Sequence, residues 1–115
     1  MANTFKTITK AGVTTVDVIY TVAGSTTTVV LGLMLGNTTG SAITSTVTLG
    51  TDTANRAGAN NESNQDVELI TSTSIPAKST LELLSGNKVV METTDTLSVT
   101  GSGATDVALS VMEIT

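Results

Sequence analysis

Hydrophobic and polar residues alternate with a period of two along most of this chain. Nearly every second residue is apolar in the segments 16–22, 43–49, 80–84 and 96–100. This is the period of a β-strand that buries one face. No stretch repeats apolar residues at intervals of three and four, so the pattern predicts little or no helix.

The longest apolar stretch, 29–35, departs from simple alternation. Its odd positions are apolar, but so are Val30 and Met34. Apolar residues on both faces predict a central strand that is covered on both sides. Gly32 lies inside this strand, which predicts a bulge or the close approach of another backbone.

The C-terminal segment, 106–114, predicts the last strand. Val107, Leu109 and Val111 alternate with small or polar residues, and the apolar phase then slips to Met112 and Ile114. A bulge near Val111 would explain this slip. The segment 101–103, Gly-Ser-Gly, precedes the strand and predicts a hairpin turn.

The spacing of turn signals predicts the architecture. Turn residues at 37–41, 85–87 and 101–103 help to separate about eight short strands at intervals near ten residues. We therefore expect an all-β fold, an antiparallel β-sandwich or jelly roll, in which residues 1–115 form a single domain. The strand at 43–49 is expected to lie beside the preceding one. Threonine, about a fifth of the chain, suits a pleated sheet because it is β-branched.

Residues 52–66 contain no large apolar side chain. A polar loop of this length is usually either functional or mobile. Asp52, Glu62 and Asp66 bracket it and could supply oxygen ligands to calcium. The spacing of a calcium-binding loop is absent, so a loop that is solvated or ordered by a partner is the favoured interpretation.

The chain lacks the residues that most enzymes use. Histidine and cysteine are both absent, which removes the commonest general base, the commonest zinc ligands and the thiol nucleophile. No serine motif of the GxSxG type is present. Glu68 could form a carboxylate pair with Glu82 or Glu92 on neighbouring strands, but their alternation with apolar residues favours a solvated face. We expect no catalysis and no cofactor.

Charge and aromatic content narrow the choice of partner. The net charge is −5, and the five basic residues are scattered along the chain, so nucleic acid is not expected as a partner. The longest apolar stretch is far too short to span a membrane.

Phe5 and Tyr20 are the only aromatic residues, and both are expected in the core. A carbohydrate-binding β-sandwich stays open as an alternative, although it usually needs more aromatic surface.

The composition also favours life within a complex. No disulfide can supplement the core, since cysteine is absent. Edge strands rich in threonine and valine, with few lysines, invite pairing with other chains unless a partner covers them. We therefore expect a homo-oligomer or another protein assembly.

Four segments resemble small virion structural proteins of tailed bacteriophages: ANTFK at 2–6, IPAKSTLEL at 75–83, VVME with DTL at 89–97, and the ending DVALSVMEIT at 106–115. The likeness runs over most of the chain. It implies a β-sandwich protein of the virion, made in the host cytoplasm. A capsid decoration (cement) protein that binds and stabilises the lattice of the major capsid protein, expected as a trimer, is favoured over a head-tail neck, tail or fibre-anchoring protein.

The candidate partner-contact elements are the N-terminal segment and the polar loop. Their residues are Asn3, Phe5, Lys6, Asn55, Arg56, Asn60, Asn61 and Glu62.

Overall fold

The computed structural model describes residues 2–51, 65–84 and 86–115, and in these ranges the fold is all-β. Nine strands are present in the described part of the chain. They are β1 Asn3–Val13, β2 Asp17–Thr21, β3 Thr27–Asn37, β4 Ile43–Gly50, β5 Val67–Ile75, β6 Thr80–Leu83, β7 Val89–Met91, β8 Thr96–Gly101 and β9 Thr105–Ile114.

The strands form two antiparallel sheets. In sheet A the order is β1-β9-β3, and β6 and β7 both pair with β3 on its other side; in sheet B the order is β2-β8-β4-β5. Most successive strands lie in opposite sheets, and the strand order is that of a jelly roll; β4 and β5 share sheet B, and β6 and β7 share sheet A. Since β6 pairs with one half of β3 and β7 with the other, the two share one strand position. The prediction of an antiparallel sandwich or jelly roll of about eight strands is confirmed.

The core lies between the inner faces of the two sheets. It is built mainly from β-branched residues and leucines, which pack well against a pleated surface, together with Tyr20 and Met91. Its buried apolar members are Val13, Tyr20, Val22, Val30, Leu33, Leu35, Ile43, Val47, Ile75, Met91, Leu97, Val99, Val107, Leu109 and Val111.

A bulge in β3 explains why this strand is apolar at both odd and even positions. Its register with β9 shifts between Val30 and Gly32, so the buried positions change from even, at Val30, to odd, at Leu33. The central position of β3 and the irregularity at Gly32 are confirmed. The prediction that both faces are covered is wrong, because Met34 on the outer face is 46% exposed.

Three other local predictions are also wrong. Strand β4 does not lie beside β3 but belongs to the other sheet. The segment 101–103 is not a hairpin turn, since it connects β8 in sheet B to β9 in sheet A. The bulge near Val111 lies in β3 and not in β9, because the register of β9 with β1 is continuous from Val107 to Ile114, whereas its register with β3 shifts between Val30↔Val111 and Gly32↔Ser110. Alternation shows which residues share a face but not which strands are neighbours.

Asn37, at the end of β3, joins the two sheets at one end of the sandwich. It is 2% exposed, and its Nδ2 lies 2.8 Å from the carbonyl oxygen of Ser41, 3.0 Å from that of Ile75 and 3.1 Å from that of Pro76. Its Oδ1 accepts a hydrogen bond from the backbone N–H of Thr39. These bonds tie the end of β3 to the end of β5 and to the segment before β4.

Candidate interaction surface

An uninterrupted row of apolar side chains crosses the outer face of sheet A. Phe5 of β1 lies opposite Met112 of β9, Met112 opposite Val29 of β3, and Val29 opposite Val90 of β7. Phe5 is 70% exposed and Val90 59% exposed, whereas Met112 and Val29 between them are half-buried. We call these four residues the apolar row.

The pleat of β9 accounts for the outward position of this row. Leu109 and Val111 point into the core, so Ser110 and Met112 must point outward. Cross-strand neighbours on one face are in contact distance of one another, and the four side chains therefore form one continuous patch. Next to the row the side chains are small, since Gly32 of β3 lies opposite Ser110 of β9.

Two shallow grooves lie elsewhere on this face. One has a volume of about 360 Å³ and the other about 290 Å³, and both are lined by Met34 and Ala108. Lys10 and Asp106 border the larger groove, and Glu82 borders the smaller one. The outer face of sheet A thus combines an apolar ridge with grooves that have charged rims, as protein interfaces commonly do.

The outer face of sheet B has a different chemistry. Thr46 lies opposite Thr100, and Thr48 lies opposite Ser98. These hydroxyl side chains are half-buried and cover the two central strands of the sheet. The two outer faces therefore differ, and the apolar row belongs to sheet A.

The N-terminal strand β1 forms one edge of sheet A and contributes little to the core. Of its eleven residues, Val13 is buried and Ile8 half-buried, and the others are exposed. Backbone pairing with β9 runs from Asn3 to Lys10. Two ion pairs also hold β1: Lys6 binds Glu113 of β9 at 2.8 Å, and Lys10 binds Asp17 of β2 at 3.6 Å.

A hydrogen-bonded cluster links β1 to both sheets. The hydroxyl of Tyr20, in sheet B, donates to Glu113 Oε2 at 2.5 Å and lies 2.7 Å from Thr28 Oγ1; Lys6 binds the other carboxylate oxygen of Glu113. Burial, followed by the bond to the Glu113 carboxylate, raises the pKa of Tyr20 to about 12. The bond from Lys6, and then that from Tyr20, lowers the pKa of Glu113.

The candidate partner-contact residues at the N-terminus lie on β1. Asn3 and Phe5 are on the outer face of sheet A, while Lys6 points to the other side and pairs with Glu113. Tyr20 is in the core as predicted, but the same prediction for Phe5 is wrong because its ring is largely exposed. The remaining candidates, Asn55, Arg56, Asn60, Asn61 and Glu62, lie outside the described residues.

The sequence contained a signal for the apolar row that was interpreted differently. Met112 and Ile114 are out of phase with the core residues of β9, and this phase slip predicted a bulge. In the fold β9 is regular, and Met112 belongs to the outer face. Apolar residues on the polar phase of a strand thus indicated an apolar patch on the outer face of the sheet.

The structure describes some of the acidic residues that were considered from sequence as members of a site. Glu68 lies on β5 in sheet B and Glu82 on β6 in sheet A. The two are therefore not on neighbouring strands, which the carboxylate pair considered from sequence would require. Asp66 accepts a hydrogen bond from the N–H of Thr51 at 3.1 Å, while Asp52 and Glu62 lie outside the described residues.

The described part of the chain offers neither a cluster of metal ligands nor a membrane-spanning helix. In these residues no group of three or more acidic side chains could hold a metal ion. Within the same ranges, no helix has the length and hydropathy needed to cross a bilayer.

Comparison with known proteins gave a structural neighbour. No family model and no curated protein matches the chain. A solved chain from the work described as "Bacillus endospore appendages form a novel family of disulfide-linked pili" matches with a TM-score of 0.51 and 13% sequence identity. The match covers 99% of this chain and 87% of the other. At this identity the likeness concerns the fold: this protein has a β-rich fold similar to that of the appendage protein.

Proposed function

We propose that this protein is a non-enzymatic structural protein that binds other protein subunits within an assembly. The observation that carries the proposal is the apolar row. Soluble monomers rarely leave a continuous apolar patch exposed without a function for it. A partner that covers Phe5 and Val90 would remove from water the two most exposed side chains of the row.

The proposed assembly is the virion of a tailed bacteriophage, and the proposed role is capsid decoration. This part of the proposal comes from the resemblance of the strand-and-turn segments at 2–6, 75–83, 89–97 and 106–115. In this role the outer face of sheet A binds the lattice of the major capsid protein, and the protein associates with its own copies as a trimer. A head-tail neck, tail or fibre-anchoring role would use the same surface on a different part of the particle.

The binding test compares a variant of the apolar row with a matched control. Phe5→Thr/Val90→Thr replaces the two exposed members of the row by residues that keep the preference for strands. Val67→Thr changes a valine that is 49% exposed on β5 of sheet B. Burial of one such apolar side chain contributes about 2 kcal/mol, so we expect the double variant to bind at least roughly tenfold more weakly. The control should bind as the parent does.

The measurement is co-sedimentation with phage particles that lack the protein. Heads and tails are purified separately, and the bound fraction is measured at high salt, where exposed ion pairs are screened. Retention on heads supports decoration, and recovery with tails alone supports the neck or tail role. If the protein remains monomeric and binds neither heads nor tails, the proposed function is wrong.

A second candidate function is a subunit of a self-assembling filament. It is favoured by the exposed edge strand β1 and by the fold likeness to a protein described as forming disulfide-linked pili. The 115 residues contain no cysteine, so disulfides between these residues could not link such a filament. Electron microscopy of the concentrated protein separates the two candidates, because filaments that form without phage particles would favour this one.

A further inference from the structure

Strand β1 is attached to the rest of the protein mainly through backbone pairing with β9 and two ion pairs, and few of its side chains are buried. It pairs with β9 over the uninterrupted register Asn3↔Ile114 to Lys10↔Val107. Only Ile8 and Val13 withdraw side chains from solvent. A strand with few buried apolar contacts opens at low free-energy cost compared with the core strands.

The connection between β1 and β2 is short. Residues 14–16 are exposed and carry the chain from sheet A to sheet B. Facing sheets lie roughly 10 Å apart, and the four Cα–Cα steps from Val13 to Asp17 reach at most about 14 Å. A connection this short favours exchange of the strand, because in the exchanged form residues 14–16 can extend and need not fold β1 back onto its own chain.

The groups that recognise β1 stay with the body of the protein when β1 leaves. Glu113 holds Lys6 and is itself held by Tyr20. Asp106 accepts a hydrogen bond from the N–H of Gly12, at 3.0 Å. Any strand that occupies the edge of β9 must satisfy these two carboxylates, and the β1 sequence of another copy does so with the same residues.

We propose that β1 is an exchangeable strand: in the assembled protein, the β1 of one copy pairs with the β9 of a second copy and replaces that copy's own strand. The inference rests on the proposed function and deepens it by naming the partner, a second copy of this chain, and the mode of linkage. The exchanged form keeps every contact of the closed form except at the connection. Its cost is therefore the entropy of association, which a crowded assembly reduces.

The test uses the absence of native cysteines. Thr7 on β1 lies opposite Ser110 on β9, and both are on the outer face. One preparation carries Thr7→Cys and another, isotopically labelled, carries Ser110→Cys. The two full-length chains are unfolded, mixed, refolded and treated with a short bis-maleimide, and the products are separated on a denaturing gel and identified by mass spectrometry.

Exchange predicts a cross-linked dimer containing one labelled and one unlabelled chain. In a matched control, the first preparation carries Thr46→Cys in place of Thr7→Cys. Thr46 is on the outer face of sheet B, so this pair of preparations should give several-fold less dimer. In a third variant both Thr7→Cys and Ser110→Cys are in one chain. Exchange then links chains together, whereas a closed strand links positions within one chain and leaves a monomer on the gel.

A second variant tests the connection itself. Four residues, Gly-Ser-Gly-Ser, inserted between Thr14 and Thr15 give β1 enough slack to close on its own β9. We expect the oligomeric fraction measured by sedimentation velocity to fall several-fold. This readout remains useful if a cysteine variant fails to fold.

The outcomes separate this inference from the proposed function. Cross-links within single chains, in a protein that is oligomeric or binds phage heads, overturn the exchange and leave the proposed function standing. An unchanged oligomer after the insertion also overturns the exchange. Failure of the proposed function is read independently, from the absence of binding to any particle.

Discussion

At the scale of single residues, the most informative group is the one tyrosine of the chain. The hydroxyl of Tyr20 is held between Thr28 and the carboxylate of Glu113. Glu113 in turn holds Lys6 of the N-terminal strand. One buried hydroxyl therefore connects the core to the edge strand, and its ionisation reports on this connection.

Alkaline titration tests this cluster. The pKa of Tyr20 is raised to about 12 in the folded protein, while an unfolded tyrosine has a pKa of about 10. The neutral hydroxyl therefore stabilises the fold below pH about 10, and this stability is lost as the pH rises through the folded pKa. We expect the phenolate absorbance of the folded protein to titrate near pH 12 and that of the urea-unfolded chain near pH 10.

The variant Tyr20→Phe is the control for this titration. A phenylalanine cannot ionise, so the unfolding free energy of this variant should lack the loss of stability that ionisation of Tyr20 causes at high pH. A folded parent protein whose absorbance titrates near the unfolded value would contradict the buried arrangement.

On the acid side, the pKa of Glu113 is lowered in the folded protein. The contribution of Glu113 to stability is therefore present above its unfolded pKa and is lost as the pH falls through its folded pKa.

At the scale of elements, the crossover from β8 to β9 depends on the absence of a side chain at Gly101. A Cβ at this position would lie within 2.6 Å of the carbonyl oxygens of Gly103 and Val13 and would meet the hydroxyl of Thr105. Two of these atoms belong to the backbone, which cannot easily move aside. The glycine permits the chain to leave sheet B beside the end of β1.

Substitution of this glycine gives a direct test. We expect Gly101→Ala to destabilise the protein by about 3 kcal/mol or to prevent folding, since overpacking against fixed backbone is costly. Gly40→Ala is the matched control, because nothing lies within 4 Å of a Cβ placed there. Urea unfolding followed by circular dichroism measures both. Equal stability of the two variants would show that the crossover has more space than the structure indicates.

The elements also explain where sequence reasoning succeeded and failed. Strands with one buried face, such as β8 and β9, follow the alternation because solvent and core demand opposite side chains. Strand β1 has few core residues, so its sequence contains no such alternation, and it was treated as a contact segment. The slip at Met112 could not be assigned from sequence, because a bulge and an exposed apolar face produce the same pattern.

At the scale of the whole molecule, charge and apolar surface oppose each other in self-association. The net charge of −5 makes copies repel, whereas the apolar row favours contact. Salt screens repulsion between surfaces and does not weaken apolar burial. Association through the row should therefore strengthen with ionic strength.

Sedimentation equilibrium measures this dependence. Between about 0.05 M and about 0.5 M sodium chloride, where the screening length falls from more than 10 Å to less than 5 Å, we expect the self-association constant of the parent protein to rise. The Phe5→Thr/Val90→Thr variant should show little of this rise, because it lacks the two exposed side chains of the apolar row. Association that weakens as salt increases would assign the interface to ion pairs and not to the apolar row.

The sequence by itself determined the all-β class, the approximate number of strands and most of the core, because these follow from alternation and β-branched composition, which act locally along the chain. The tertiary structure alone decided which strands are neighbours, that the chain follows a jelly-roll path, and that Phe5, Met112, Val29 and Val90 form one row. Those four residues come from four strands that are distant in sequence. Their proximity depends on long-range pairing, which a period-two pattern cannot encode.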